Sequence, residues 1–107
     1  MKLIKKHKQE LNSLCDKHKV KELYVFGSAL TNLFNQDSDI DFLVKFGNVE
    51  LPDYFDNYMD FKESLEKLFQ REIDLVEVQT VKNPILKQSI DQTKIIVYER
   101  ADSEVAV

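Results

Sequence analysis

Two aspartates one residue apart, Asp39 and Asp41, follow a Gly27-Ser28 pair after ten intervening residues. Taken singly, each piece is unremarkable: a Gly-Ser pair is usually a turn, and Asp37-Ser38-Asp39 also reads as a solvated loop or a capping stretch. Together they describe a site. Alternate side chains of a strand point to one face, so both carboxylates project side by side, close enough to bind one divalent ion. Without a cation this placement is costly, because like charges repel and aspartate is disfavoured in strands. Mg²⁺ suits the pair, since it takes hard oxygen ligands, needs few protein contacts and keeps positions for water and phosphate oxygens. Gly27 lets a phosphate approach the backbone, and Ser28 adds a hydroxyl and an amide near an expected helix N-terminus. A polyphosphate would then lie between the Gly27-Ser28 amides and the metal.

Phosphoryl chemistry with two metal ions usually needs a third carboxylate. Asp74 is the candidate, because it lies near the start of the next expected strand with a parity that faces the pair. Glu72 shares that parity but sits at the strand edge, and Glu77 has the opposite parity and should face away.

These residues need elements to place them. Residues 1–19 carry Leu3, Ile4, His7, Leu11, Leu14, Cys15 and His18 at steps of three and four, the period of an amphipathic helix, with lysines opposite. Cys15 and His18 lie one turn apart, but without further ligands they read as part of a packed stripe. Residues 22–26 form a short apolar strand ended by Gly27, and 28–34 a short helix. A second strand runs over 39–46 and alternates Asp39, Asp41, Leu43 and Lys45 with Ile40, Phe42, Val44 and Phe46. Helical spacing returns over 53–70, where Tyr54 and Tyr58 read as packing rather than as base-stacking platforms. A strand over 72–78, an Asn83-Pro84 cap opening a helix to Gln92, and a strand over 94–99 complete the order. Helices and strands alternate throughout, which predicts a layered α/β domain with helices packed on a small sheet, parallel or mixed. Residues 1–100 are expected to form a single domain and 101–107 a flexible tail.

Composition narrows the function. The chain has 107 residues, 43% hydrophobic and 32% charged, with two glycines and two prolines, so it is globular rather than fibrous or disordered. One cysteine cannot form an internal disulfide, and no segment reads as a secretion signal or membrane span, which makes the cytoplasm the expected compartment. The net charge of −4 is uneven: seven lysines fall in residues 1–21, and the remainder is strongly acidic. An acidic surface repels free nucleic acid, so direct DNA or RNA binding is not expected, and the lysine run reads as a solvated helix face.

The motif Gly27-Ser28, ten residues, Asp39-x-Asp41 resembles the signature of the polymerase-beta-like nucleotidyltransferases. The short chain and the Asn83-Pro84 segment before a final strand resemble the minimal nucleotidyltransferases, the MNT proteins of bacteria and archaea, over roughly residues 10–100. That resemblance implies a small mixed sheet with helices packed on it and two Mg²⁺ ions held by Asp39, Asp41 and Asp74. Gly27 and Ser28 would hold the triphosphate of ATP, with Asp74 completing the metal site or acting as base. It further implies transfer of AMP to a protein hydroxyl, plausibly a tyrosine, on a HEPN-domain ribonuclease toxin, with this chain as its antitoxin in a hetero-oligomer. Many members continue after Gly-Ser with Arg-x-Arg-Gly, where this chain has Ala29-Leu30-Thr31-Asn32. Asn32 can stand for the glycine because asparagine tolerates positive φ, and Lys45 and Arg71 are candidate replacements for the arginines. A binding-only antitoxin is the alternative reading, favoured by the missing arginines. A small-molecule nucleotidyltransferase is a weaker third, since 107 residues leave no room for an acceptor domain.

Overall fold

The computed structural model describes residues 2–32 and 34–100, except for the Ser28 side chain; the expected tail over 101–107 lies outside them. The first amphipathic stretch folds as two helices, α1 (Lys2–Lys6) and α2 (Lys8–Lys17), rather than one. The break falls at His7, whose backbone leaves helical geometry (φ −110°, ψ 23°) while its ring meets Phe69 edge-on at 5.4 Å. Leu11 and Cys15 are fully buried. Cys15 is thus a packing residue, its thiol pushed up to about 12 chiefly by burial. His18 closes α2 and reaches across to the next long helix: Nδ1 lies 2.7 Å from the Leu14 carbonyl and Nε2 2.6 Å from Asp60 Oδ2. Burial and these contacts take up Cys15 and His18, in keeping with the packed stripe expected of them.

Strands β1 (Val20–Phe26), β2 (Ile40–Phe46), β3 (Ile73–Glu77) and β4 (Ile95–Glu99) form one sheet in the order β3-β2-β1-β4. β1 pairs antiparallel with β2 and β4, and β2 pairs parallel with β3, which settles the open choice in favour of a mixed sheet. The period of two divides its faces. Leu23, Val25, Phe42, Val44, Ile73 and Leu75 point to one side and are buried against α2 and helix α3 (Leu51–Phe69). α3 contributes Phe61, Leu65 and Phe69 at four-residue spacing, and Phe46 stands edge-on to both Phe61 and Tyr54. Tyr58 donates its hydroxyl to the Leu75 carbonyl, so both tyrosines serve packing. Truncating Phe61 would remove about 3–5 kcal/mol of burial.

The opposite face carries Asp41, Leu43 and Asp74, and only part of it is covered. Leu43 is buried near Val78, Val81 and Ile90, the last from helix α4 (Pro84–Thr93). Asn83 caps α4 as its sequence suggests, its Oδ1 accepting from the Ile85 and Leu86 amides at 2.9 and 3.3 Å. Asn83→Ala is expected to cost about 1 kcal/mol in urea unfolding. A loss near zero would mean that water satisfies those amides equally well. No helix among the described residues is long and apolar enough to cross a membrane.

Candidate active site

The second face is acidic at one end because of how three strands meet. β1 runs into Phe26, which pairs with Asp41 of β2; Asp41 in turn pairs with Asp74 of β3. A row Phe26, Asp41, Asp74 therefore crosses the sheet, with neighbouring strands about 4.8 Å apart. Asp39 lies two residues before Asp41, immediately ahead of β2 and near enough for its charge to act on the Asp41 carboxyl. The parity assigned to Asp74 is thus the observed one.

Gly27 closes this row. It turns the chain out of β1 at φ +75°, a conformation that side chains rarely adopt. A Cβ at this position would sit 2.3 Å from Asp41 Oδ2 and 3.3 Å from Asp41 Cγ. The glycine is therefore required twice, for the left-handed backbone and for the space filled by the Asp41 carboxylate. The expected helix over 28–34 is shorter: a single 3₁₀ turn, Gly27–Leu30, follows the glycine. One such turn adds little dipole, which leaves the backbone amides around an open glycine as the feature suited to phosphate. Ser28 lies in this turn, its side chain outside the described set.

Asp41 is half-buried, whereas Asp39 and Asp74 are exposed. Burial, then the charge of Asp74, then that of Asp39 push the Asp41 carboxyl above its ordinary value. All three aspartates thus act within one electrostatic field, and a cation placed there relieves it. A divalent ion fits on two grounds: the donors are hard carboxylate oxygens, and Asp39 and Asp74 are exposed to an incoming ion. Among the described residues, no three ligand groups converge as a ready-made metal cage: Asp41 and Asp74 share a face, and Asp39 lies ahead of the strand.

The other candidates fall elsewhere. Glu77 turns to the helical side, where it is buried and accepts from the Gln79 amide at 2.6 Å. Glu72 is exposed just outside β3, and its carbonyl accepts from the Ile40 amide at 3.2 Å. Lys45 shares the face of Asp41 but sits four residues further along β2, about 13 Å away, beside Glu22. That is too far to replace an arginine at Gly27. Asn32 does not take the glycine-like conformation; among the described residues, the non-glycine positions with positive φ are Lys19 and Gln70. Arg71 does reach the site's surroundings, but through backbone rather than open space: Nη1 donates to the Asn35 and Ser38 carbonyls at 3.0 and 2.9 Å. From the sequence it was, with Lys45, a candidate replacement for the missing arginines; its bonds to the loop ahead of Asp39 were not foreseen.

Residues 9–103 match the family described as polymerase beta, nucleotidyltransferase. A protein of Methanocaldococcus jannaschii, provisionally named a protein adenylyltransferase, is 36% identical over 95 residues, covering 89% of this chain and 91% of the relative. Protein adenylyltransferase MntA of Thermococcus cleftensis is 36% identical over 81 residues, 76% of each chain. Among solved structures, a chain from the complex of a tri-AMPylated Shewanella oneidensis HEPN toxin with an MNT antitoxin superposes with a TM-score of 0.61. It covers 90% of this chain and 72% of its own length, and at 16% identity it speaks to the fold.

Proposed function

Given that the chain belongs to the polymerase beta nucleotidyltransferase family, we propose that it transfers AMP from ATP to a hydroxyl of a HEPN-domain toxin and so acts as that toxin's antitoxin. The observation that carries the reading is the row in which Gly27 closes on Asp41 and Asp41 pairs with Asp74. The adenylyltransferase names of its relatives support AMP as the transferred group, and the toxin complex of its structural neighbour supports the partner.

In the proposed reaction the acceptor oxygen bonds to the α-phosphorus of ATP, the bond between that phosphorus and the α–β bridging oxygen breaks, and pyrophosphate leaves. Asp39, Asp41 and Asp74 would hold Mg²⁺, two ions in the full site. When bound, Mg²⁺ neutralises phosphate charge and favours the deprotonated acceptor. The Gly27-Ser28 backbone holds the triphosphate beside Asp41. Asp74, exposed at the outer end of the row, takes up the acceptor's proton. Exposure of both Asp39 and Asp74 leaves the row open to a hydroxyl carried on another protein's surface. The attached AMP, bulky and anionic, would block RNA at the toxin by sterics and like-charge repulsion. This chain itself contacts no nucleic acid in the reaction. We place the pair in the cytoplasm, where ATP is present and a buried free thiol such as Cys15 stays reduced.

Asp74→Asn is expected to reduce single-turnover AMP transfer by about a hundredfold or more while ATP affinity changes by less than about threefold. Calorimetry of ATP binding beside quenched single-turnover rates checks the split. Parent-like rates in the variant would remove Asp74 from the reaction. The second reading, neutralisation by binding alone, rests on the absence of the family's two arginines after Gly27-Ser28. It differs in leaving the toxin chemically unchanged.

A further inference from the structure

Asp39 lies outside the ladder that orders Asp41 and Asp74, so something else must aim it. The turn before it closes on itself: the Ser38 amide donates to the Asn35 carbonyl at 3.2 Å, the Asn35 amide to Ser38 Oγ at 3.0 Å, and the Asp37 amide to Asn35 Oδ1 at 2.8 Å. Such a box fixes the turn internally but not its position on the sheet.

Arg71 supplies that second constraint. Its Nη1 donates to the carbonyls at both ends of the box, Asn35 at 3.0 Å and Ser38 at 2.9 Å. The Phe34 ring covers the guanidinium, with Cζ 4.7 Å from the ring centroid. Nε is buried without a partner, a cost the fold bears to keep the group in place. The Ser38 carbonyl belongs to the peptide unit that ends at the Asp39 nitrogen. The next peptide unit, through the Ile40 amide, is held at 3.2 Å by the Glu72 carbonyl. Both peptide units flanking Asp39 are therefore tied to consecutive residues, 71 and 72, which lie just ahead of Asp74.

We propose that Arg71 is a positioning residue, which aims the Asp39 carboxylate at Asp41 and Asp74 by clamping the Asn35–Ser38 turn to the start of β3. The inference rests on the reading of these aspartates as a metal-binding transfer site. Arg71 combines two bonds from one nitrogen, Nη1, with a guanidinium carbon over the Phe34 ring; a lysine ammonium has donors for the carbonyls but no planar group to lie against that ring, so it holds the turn less firmly.

The test uses the full chain, its Arg71→Met and Arg71→Lys variants, and Mn²⁺ alone as probe. Arg71→Met is expected to raise the Mn²⁺ dissociation constant about tenfold and to speed hydrogen exchange at the Ser38 and Ile40 amides. Arg71→Lys should show a smaller rise, and AMP transfer from ATP should fall in parallel. Mn²⁺ affinity and amide exchange equal to those of the parent in Arg71→Met would overturn the clamp. If Arg71→Met does not fold, Arg71→Lys decides: any rise in the dissociation constant supports the clamp, and a parent-like value overturns it. A parent that transfers no AMP, while Arg71→Met still weakens Mn²⁺ binding, would leave the clamp standing and defeat the transferase reading.

Discussion

Asparagine in place of Asp41 is expected to lower AMP transfer on the order of a thousandfold, while the protein stays folded and, without metal, melts no lower than its parent. Asp41 is the most enclosed of the three carboxylates, and burial and the charges of Asp74 and Asp39 all oppose its ionised form. An amide of the same shape removes that opposition together with a metal ligand. The sign of the pH dependence follows. Because the folded-state pKa is raised, this group stabilises the fold below the ordinary aspartate value of about 4, and that contribution is lost as pH rises through the raised value. The melting temperature of the parent in metal-free buffer should therefore fall relative to Asp41→Asn as pH rises through this window. Mg²⁺ should reverse the order, since it binds only the parent site well. Calorimetric melts across the window, with and without Mg²⁺, beside single-turnover rates, check both parts. Equal turnover in variant and parent would exclude Asp41 from the chemistry. Asp39→Asn should impair transfer similarly with less effect on melting, because Asp39 is exposed.

The second large effect is expected at Gly27. Alanine there must adopt φ near +75° and place its Cβ 2.3 Å from Asp41 Oδ2. The backbone strain costs about 1 kcal/mol, which a folded domain tolerates. The collision is resolved by the Asp41 side chain turning aside, because a carboxylate moves more easily than the strand beneath it. Displacing a ligand by about an ångström costs roughly a hundredfold in rate, so Gly27→Ala should be stable but nearly inactive. The two substitutions share one contact and should not add: Gly27→Ala in the Asp41→Asn background should lower the rate by far less than in the parent. Transfer rates for the four proteins, with urea unfolding of each, test this. Additive losses would mean that Gly27 acts on the triphosphate independently of Asp41.

Much of this site was legible in the residues alone, for a physical reason. The period of a strand oriented Asp74 with Asp41 and turned Glu77 away, whereas Asp39, expected to open that strand, lies one residue ahead of it and is not placed by the period. Gly27 was read as an opening for phosphate; that its missing side chain makes room for Asp41 could not be read, because the contact joins residues paired across two strands. The helix after Gly27 was overdrawn, since Ala29-Leu30 fits a helical stretch locally while the chain must leave for the Asn35–Ser38 turn. The N-terminal helix was expected to be continuous because periodicity does not register a one-residue break such as His7. The choice between a parallel and a mixed sheet depends on long-range pairing, which local pattern does not contain. Arg71 was a candidate replacement for the absent arginines, but its partners are backbone carbonyls of a distant loop, and no spacing rule points to those.

The proposed transfer marks the partner covalently. The direct measurement is the intact mass of the proposed HEPN-domain partner after incubation with this protein, ATP and Mg²⁺, followed by removal of this protein. Its RNA cleavage is assayed on the same sample. The expected result is a mass increase of one or more AMP units, absent with Asp41→Asn, and cleavage that stays inhibited once the two proteins are separated. An unchanged mass, with inhibition only while the complex persists, would contradict the account and leave an antitoxin that works by binding alone.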